Sequence, residues 1–270
     1  DYHTPISVYA MEHGSHAATE VPAGKTMEEL WQLVEVSEKT GKHCMMLENC
    51  CYDFFEMTTL NMTRQGVFGE LTHAEGAYIH ELCGLLQNKD AYHKMWRFKE
   101  NATLNGNLYP THGLGPVAQC MNINRGNRLD YLTSMSSQEA AWSEYSEKHN
   151  NKQFKDIKFR GDMNTTTIKT VNGQTIMLQH DISTPRPYSR IHLLQGSKGM
   201  CRKWPEENVA LGHTWLKEDE RKELLAKYTH PLSNTLGSVA RKVGGHGGMD
   251  FIMDYRLIYC LKNGLPLDQD

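Results

Sequence analysis

The chain carries seven cysteines but no C-x-x-C pair. Cys44, Cys50, Cys51, Cys83, Cys120, Cys201 and Cys260 form an odd set whose spacing supports neither a thiolate zinc site nor a disulfide framework. Buried thiols are the expectation. Fourteen histidines include no H-x-x-x-H or H-E-x-x-H pair, so no metal site is expected. Neither charge dominates, and a net charge of -3 gives no general attraction to nucleic acid or an anionic membrane. No apolar run reaches the length a membrane-spanning helix needs, and no signal-peptide pattern opens the chain. The first residue is Asp1, so localisation is not read from this end. A G-x-G-x-x-G turn, the mark of a dinucleotide-binding half-sheet, is also missing. Gly244-Gly245-His246-Gly247-Gly248 is glycine-rich, but no strand precedes it. It reads as a tight turn and not as a phosphate loop.

What is present divides in two. At 270 residues the chain can hold one large domain or two smaller ones. Thr4-Pro5 reads as a cap and first turn of a helix closed by Gly14. A short strand follows at 16–21. Thr26-x-x-Glu29 is a capping box opening a helix with Leu30, Leu33 and Val34 on one face, ended by Gly41. The next strand is 43–47, and Asp53-x-x-Glu56 opens a helix running to Gly66. Strand, capped helix and strand at this spacing predict a parallel sheet. Beyond Leu71 the pattern changes. Segments 71–78, 129–136, 165–171, 174–181 and 191–195 read as strands, with a type I′ hairpin at Asn172-Gly173. Segments 218–228 and 250–261 read as helices, and polar 143–156 as a surface excursion. The expected fold is a partial Rossmann-type parallel sheet (1–52) followed by an α+β domain (53–270), a mostly antiparallel open sheet with helices on one face.

The densest chemistry lies in N-L-Y-P-T-H-G-L-G-P-V-A-Q, residues 107–119. Tyr109, Thr111 and His112 put a phenol, a hydroxyl and an imidazole on a segment stiffened by Pro110. Gly113 and Gly115 permit close backbone approach or positive φ. Such a segment suits a polyol site that moves protons. On composition alone the favoured reading is a Gly/Pro turn entering a buried helix at 115–121.

Seven ordered segments carry a family resemblance: T-P-I-S-V-Y-A-M-E-H-G-S-H-A-A-T-E-V-P-A (4–23), L-E-N-C-C-Y (47–52), G-V-F-G-E-L (66–71), N-L-Y-P-T-H-G-L-G-P-V-A (107–118), N-I-N-R-G-N-R (122–128), H-D-I-S-T-P-R-P-Y-S (180–189) and G-H-G-G-M-D (245–250). The chain resembles the NAD-dependent α-N-acetylgalactosaminidase family of glycoside hydrolases, within the glucose–fructose oxidoreductase and inositol dehydrogenase superfamily. The resemblance implies that the chain begins inside the nucleotide-binding half, near the end of its fourth strand.

For single residues the resemblance implies the following. Glu20 holds the place of the superfamily's E-K-P glutamate and contacts the nicotinamide side of NAD, while Val21 stands where sugar dehydrogenases carry lysine. Asp1–His3 matches a loop that reaches NAD, with His3 the contact, and Asn49 is a further NAD contact. Tyr78, Arg97, Tyr109, Pro110, Thr111, His112 and Tyr188 bind substrate, with Tyr52 facing the same cleft. His180, His246 and Asp250 are expected in structural roles: strand hydrogen bonding, a tight turn and a helix cap. The ordinary readings are a solvated carboxylate at Glu20, a turn asparagine at Asn49, a half-buried strand aromatic at Tyr78 and a surface ion pair at Arg97.

The activity implied is removal of terminal α-linked N-acetylgalactosamine from a glycan by a redox route. Hydride leaves carbon 3 for NAD, the carbon-2 proton is lost, the aglycone is eliminated, water adds and the hydride returns. Retention of anomeric configuration is implied with it. His112 is the expected acid/base at the carbon-3 oxygen, since imidazole titrates near neutrality; Tyr109 supports it. Tyr52 and His112 are both candidates for the carbon-2 proton. The competing readings are a sugar oxidoreductase of the same superfamily and an inactive truncated fragment acting as a scaffold. Homo-oligomerisation through the open sheet and a periplasmic or secreted bacterial location are implied by resemblance alone.

Overall fold

The structure is a computed structural model that describes residues 2–149 and 153–269. In chain order the elements are α1 (His3–Glu12), β1 (Ala17–Thr19), α2 (Met27–Thr40), β2 (Cys44–Met46), α3 (Phe54–Arg64), β3 (Leu71–Ile79), α4 (Cys83–Gln87), α5 (Trp96–Thr103), α6 (Thr111–Cys120), β4 (Leu129–Ser136) and α7 (Ala141–Lys148). They continue with β5 (Asn164–Thr170), β6 (Thr175–Asp181), β7 (His192–Gly196), β8 (Met200–Lys203), β9 (Asn208–Ala210), α8 (Glu218–Lys227), α9 (Pro231–Val243) and α10 (Met249–Asn263). The chain falls into two compact units, Asp1–Met57 with Thr229–Asp270, and Thr58–Tyr228. The 229–270 segment gathers with the first unit. Gln269 holds it there: its side chain donates to the Glu48 carbonyl at 2.9 Å and accepts from the Glu48 amide at 3.2 Å. Ala240, Ile252 and Met253 add apolar burial against Met45, Tyr52 and Met57.

In the first unit β1 and β2 pair in parallel, Ala17 opposite Cys44 and Thr19 opposite Met46. The Thr26–Glu29 capping box forms in both directions at the start of α2. The buried face of α2 is Leu33 and Val36, packed with Val8, Met11 and Ala17. Leu30 and Val34 are exposed, so the expected stripe is displaced along the helix. Helix α1 starts at His3, two residues early; Thr4 lies inside it and donates to the Ala23 carbonyl at 2.9 Å instead of capping. Asp1 lies outside the described residues. The 244–248 segment is a tight turn between α9 and α10, with all four glycines at positive φ.

The second unit is a seven-stranded sheet in the order β4-β5-β6-β3-β7-β8-β9. Every pairing is antiparallel except β3 with β6. Strands β8 and β9 extend it beyond the five strands read from the sequence. The β5–β6 turn differs from the expected type I′. Gly173 has φ 88° but Asn172 is not at positive φ, and the Gly173 amide donates to the Thr170 carbonyl at 3.0 Å. This is a type I turn closed by a glycine bulge. Ala74, Gly76 and Tyr78 of β3 share the buried face with Ile176, Leu178 and His180 of β6, while Tyr131, Thr133 and Met135 of β4 are exposed. The described residues of the 143–156 segment are mostly exposed, with Ser146 and Phe154 buried among them, and 150–152 lie outside the described residues. Helix α7 buries Trp142 and Ser146, and Trp142 stacks on Phe159 at 4.4 Å and donates to the Ile157 carbonyl at 2.8 Å.

None of the seven cysteines forms a disulfide; six are buried and Cys44 is half-buried. Among the described residues no helix is long and apolar enough to cross a membrane.

Candidate functional site

In the second unit Tyr78, at the end of the central strand β3, is the hub of a ring cluster. Its centroid lies 4.7 Å from Tyr109, 5.6 Å from His112 and 6.3 Å from Tyr188. Tyr109 and His112 meet edge-to-face at 4.9 Å. The phenolic oxygen of Tyr78 is 3.0 Å from Nδ1 of His80 and accepts from Arg97 Nη1 at 3.5 Å.

Backbone geometry explains why these residues meet. Helix α6 begins at Thr111, directly after Pro110, so His112 is a first-turn residue and the helix starts four residues before the expected 115. The helix lies on β3 through Gly113 and Gly76. A methyl on either would fall inside the other's backbone, which is the close approach the glycine permits. Tyr188 arrives from a proline-containing loop pinned to β3: Ser189 and Ile79 exchange both backbone bonds, at 2.9 and 3.0 Å. Asn107 Oδ1 accepts from the Tyr109 amide at 3.3 Å and turns the chain into the motif. The Thr111 hydroxyl and the Asn107 amide nitrogen are buried without a hydrogen-bond partner among the described residues. Two orphaned polar atoms in one segment call for a polar guest.

Arg97 is buried in a cage of rings, its guanidinium carbon 4.8 Å from the Tyr109 centroid, 5.1 Å from Tyr92 and Trp96, and 5.8 Å from Tyr78. Among the described residues no carboxylate pairs with it, so a caged cation stands in place of the ordinary reading, a surface ion pair. Its charge acts on two histidines. His180, opposite Tyr78 in the β3–β6 register, is pushed down to about 4 by burial and then by Arg97. His80 is lowered by burial and then by Arg97. Both imidazoles are therefore neutral near pH 7. A cavity of about 20 Å³, room for one water, is lined by Asn101, Arg160, Asn164 and His180 among others. His80 was not singled out from the sequence. The available signal was its place two residues after Tyr78, the same-face spacing of a strand.

In the first unit the residues matched to a nucleotide site lie at the carboxyl end of the two parallel strands. Glu20 follows β1, is exposed, and accepts from the Val21 amide at 2.9 Å. His3 Nδ1 sits 2.7 Å from the Pro22 carbonyl, which brings His3 beside the Glu20–Val21 segment; Val21 itself is buried. Asn49 follows β2 and donates to Asp250 Oδ1 at 2.7 Å, while Asp250 Oδ2 lies 2.8 Å from His246 Nδ1. Asn49 is thus more than a turn residue, and Asp250 and His246 carry a shared hydrogen-bond network that the sequence reading did not assemble. An open cavity of about 500 Å³ borders Asp250, lined also by Gly245, Asp254, Tyr255 and Ile258. Tyr52 is buried; its hydroxyl is 3.3 Å from Asp268, which pairs with Arg256 at 2.7 Å. Burial, then the Asp268 charge, push its phenol well above the usual range.

Residues 52–270 match the Glycosyl hydrolase 109, C-terminal domain family. An alpha-N-acetylgalactosaminidase of Bacteroides fragilis is 50% identical over 99% of this chain and 65% of its own length. Glycosyl hydrolase family 109 protein 1 of Bacteroides thetaiotaomicron is 48% identical over 100% of this chain and 60% of its own. The chain thus spans about two thirds or less of these curated relatives. Among solved structures, an inositol dehydrogenase homolog complexed with NAD+ from Azotobacter vinelandii aligns with a TM-score of 0.65 at 17% identity, covering 99% of this chain and 69% of that one. A levoglucosan dehydrogenase in complex with NADH aligns at 0.66 and 16% identity, covering 99% and 70%. At such identities these two likenesses concern the fold alone.

Proposed function

The chain belongs to the glycosyl hydrolase 109 family, and from that membership we propose that it is the sugar-binding part of a glycosidase removing terminal α-linked N-acetylgalactosamine with NAD as resident cofactor. The observation that carries this reading is the Tyr78–Tyr109–His112–Tyr188 cluster beside the caged Arg97. Ordinary glycosidases place two carboxylates about the scissile bond. This cluster offers phenols, imidazoles and a guanidinium, which suit a polyol whose protons and oxyanions must be managed.

The residues present fit part of NAD. Asn49, Glu20 and His3 supply an amide, a carboxylate and an imidazole at the carboxyl end of a parallel strand pair, where such sheets hold ligands. Carboxylates there suit ribose hydroxyls and disfavour a diphosphate, and the sequence holds no G-x-G-x-x-G turn. These residues would hold the nicotinamide and ribose portion. Bound NAD supplies a hydride acceptor and donor.

The chain's own side chains do the rest. His112 takes the proton of the sugar's carbon-3 hydroxyl and returns it. Tyr109 and Tyr188 donate to hydroxyls or a developing oxyanion. Arg97, Pro110 and Thr111 shape the sugar pocket with Tyr78. The Tyr52 phenol, buried beside Asp268 and pushed well above its usual range, does not accept the carbon-2 proton, and His112 is the candidate of the two that remains. Pairing of two copies through the exposed face of β4, and a periplasmic or secreted location, belong to the same proposal.

A second reading, a sugar oxidoreductase, draws support from the dehydrogenase-type fold. Val21 in the lysine position speaks against it. Incubation with an aryl α-N-acetylgalactosaminide and NAD separates the two. Phenol release without accumulating NADH supports the glycosidase, and stoichiometric NADH supports the oxidoreductase. A chain that binds neither NAD nor sugar at millimolar concentration is a scaffold.

A further inference from the structure

The aromatic cluster does not end at Tyr188. The Tyr188 ring meets Trp204 edge-to-face at 5.2 Å and 81°, after meeting His80 in the same manner at 4.9 Å and 83°. A strip of rings therefore leads from Tyr109 through Tyr78 and Tyr188 to Trp204, in centroid steps of 4.7, 6.3 and 5.2 Å. One pyranose ring covers only part of such a path. Beyond Tyr188, which is 37% exposed, Trp204 is the next ring and is half-buried.

Trp204 is held there against local preference. Its φ is 78°, in the left-handed region that a bulky side chain avoids. His192 and Lys203 are partners in the β7–β8 ladder, and the residues just outside that pair, Ile191 and Trp204, both have positive φ, at 40° and 78°. The distortion is thus shared by both strands at one end of the ladder. The indole N–H is buried and meets no acceptor among the described residues. A position selected for packing alone would avoid both penalties with a Leu or Phe in relaxed backbone. Strain of this kind concentrates where a side chain is aimed for function. The Arg190 and Lys203 cations lie over the ring, 5.5 and 5.6 Å from its centroid.

We propose that Trp204 forms the platform of a second saccharide position, where the sugar linked to the departing N-acetylgalactosamine stacks. The face of an indole suits the apolar face of a pyranose, and neighbouring Lys203 and Arg190 donate to its hydroxyls. Trp204 is then a specificity residue, selecting oligosaccharide aglycones over small ones. This rests on the glycosidase reading, and its test keeps the two separable.

The chain is titrated with N-acetylgalactosamine and with a disaccharide carrying it α-linked at the non-reducing end, for the wild type, Trp204→Phe and Trp204→Leu. Thermal melts of each variant confirm folding. The wild type is expected to bind the disaccharide about tenfold more tightly than the monosaccharide, a difference of about 1.4 kcal/mol. Trp204→Leu removes most of that ratio, and Trp204→Phe, which keeps a ring, restores part of it. A ratio that survives Trp204→Leu, or a wild type without a ratio, overturns the second position and leaves the glycosidase reading standing. Failure of the wild type to bind either sugar overturns both.

Discussion

At the scale of single residues, the proposed function asks most of His112. Replacing it by Asn keeps a polar side chain at the start of α6 and removes the proton carrier. The expected loss in kcat is about 10²- to 10⁴-fold, the range of general acid–base catalysis, with KM changed far less. Steady-state kinetics on an aryl glycoside check this. His180 makes a different demand, on stability. The unfolded chain takes up a proton on this imidazole below its ordinary value of 6.5, whereas the folded chain does so only at about 4. Stability therefore falls as pH drops through that window, because the unfolded state binds more protons there. By pH 5 the loss from this group amounts to about 2 kcal/mol. Urea unfolding at pH 7 and pH 5 should show a smaller drop for His180→Gln than for the wild type. An equal drop in both would show that His180 titrates normally.

Helices and strands bring these residues together through one backbone contact in particular. The α6–β3 approach at Gly113 and Gly76 leaves no room for a methyl on either side. Gly113→Ala is expected to destabilise by about 1–3 kcal/mol, the range for overpacking a close-packed interior. It also displaces His112 from Tyr78, so kcat falls together with stability. Denaturation midpoints and kinetics on the same preparation test both. Much of the element level was legible in the sequence. The Thr26–Glu29 box announces α2 because capping chemistry is local. Strands β3 to β6 follow from their composition and turn signals. The positions of α4, α5, α7, β8, β9 and α9 were missed, the two strands and α4 because they are short and α9 despite Pro231 at its first turn. Which face of α2 is buried was not legible, since Leu30, Leu33, Val34 and Val36 offer more than one stripe.

For the whole molecule, the candidates Tyr109, Thr111, His112 and Tyr188 fall in segments that carry the family resemblance and Tyr78 and Arg97 fall outside them, and the mutual geometry of the six was not legible in the sequence. Tyr78, Arg97, His112 and Tyr188 come from four separate elements or loops, and only the fold decides that Arg97 ends in a cage of four rings. The same holds for Gln269, whose two bonds to Glu48 draw the end of the chain onto the β2 side of the first unit. Such pairings are set by contacts far apart in sequence, which no local propensity encodes.

The most direct test of the redox glycosidase account is turnover of an aryl α-N-acetylgalactosaminide in D2O with NAD present, followed by mass and proton spectra of the released sugar. Loss and return of the carbon-2 proton predicts one deuterium at carbon 2 of the N-acetylgalactosamine formed. Sugar released with its original carbon-2 hydrogen intact would contradict the account.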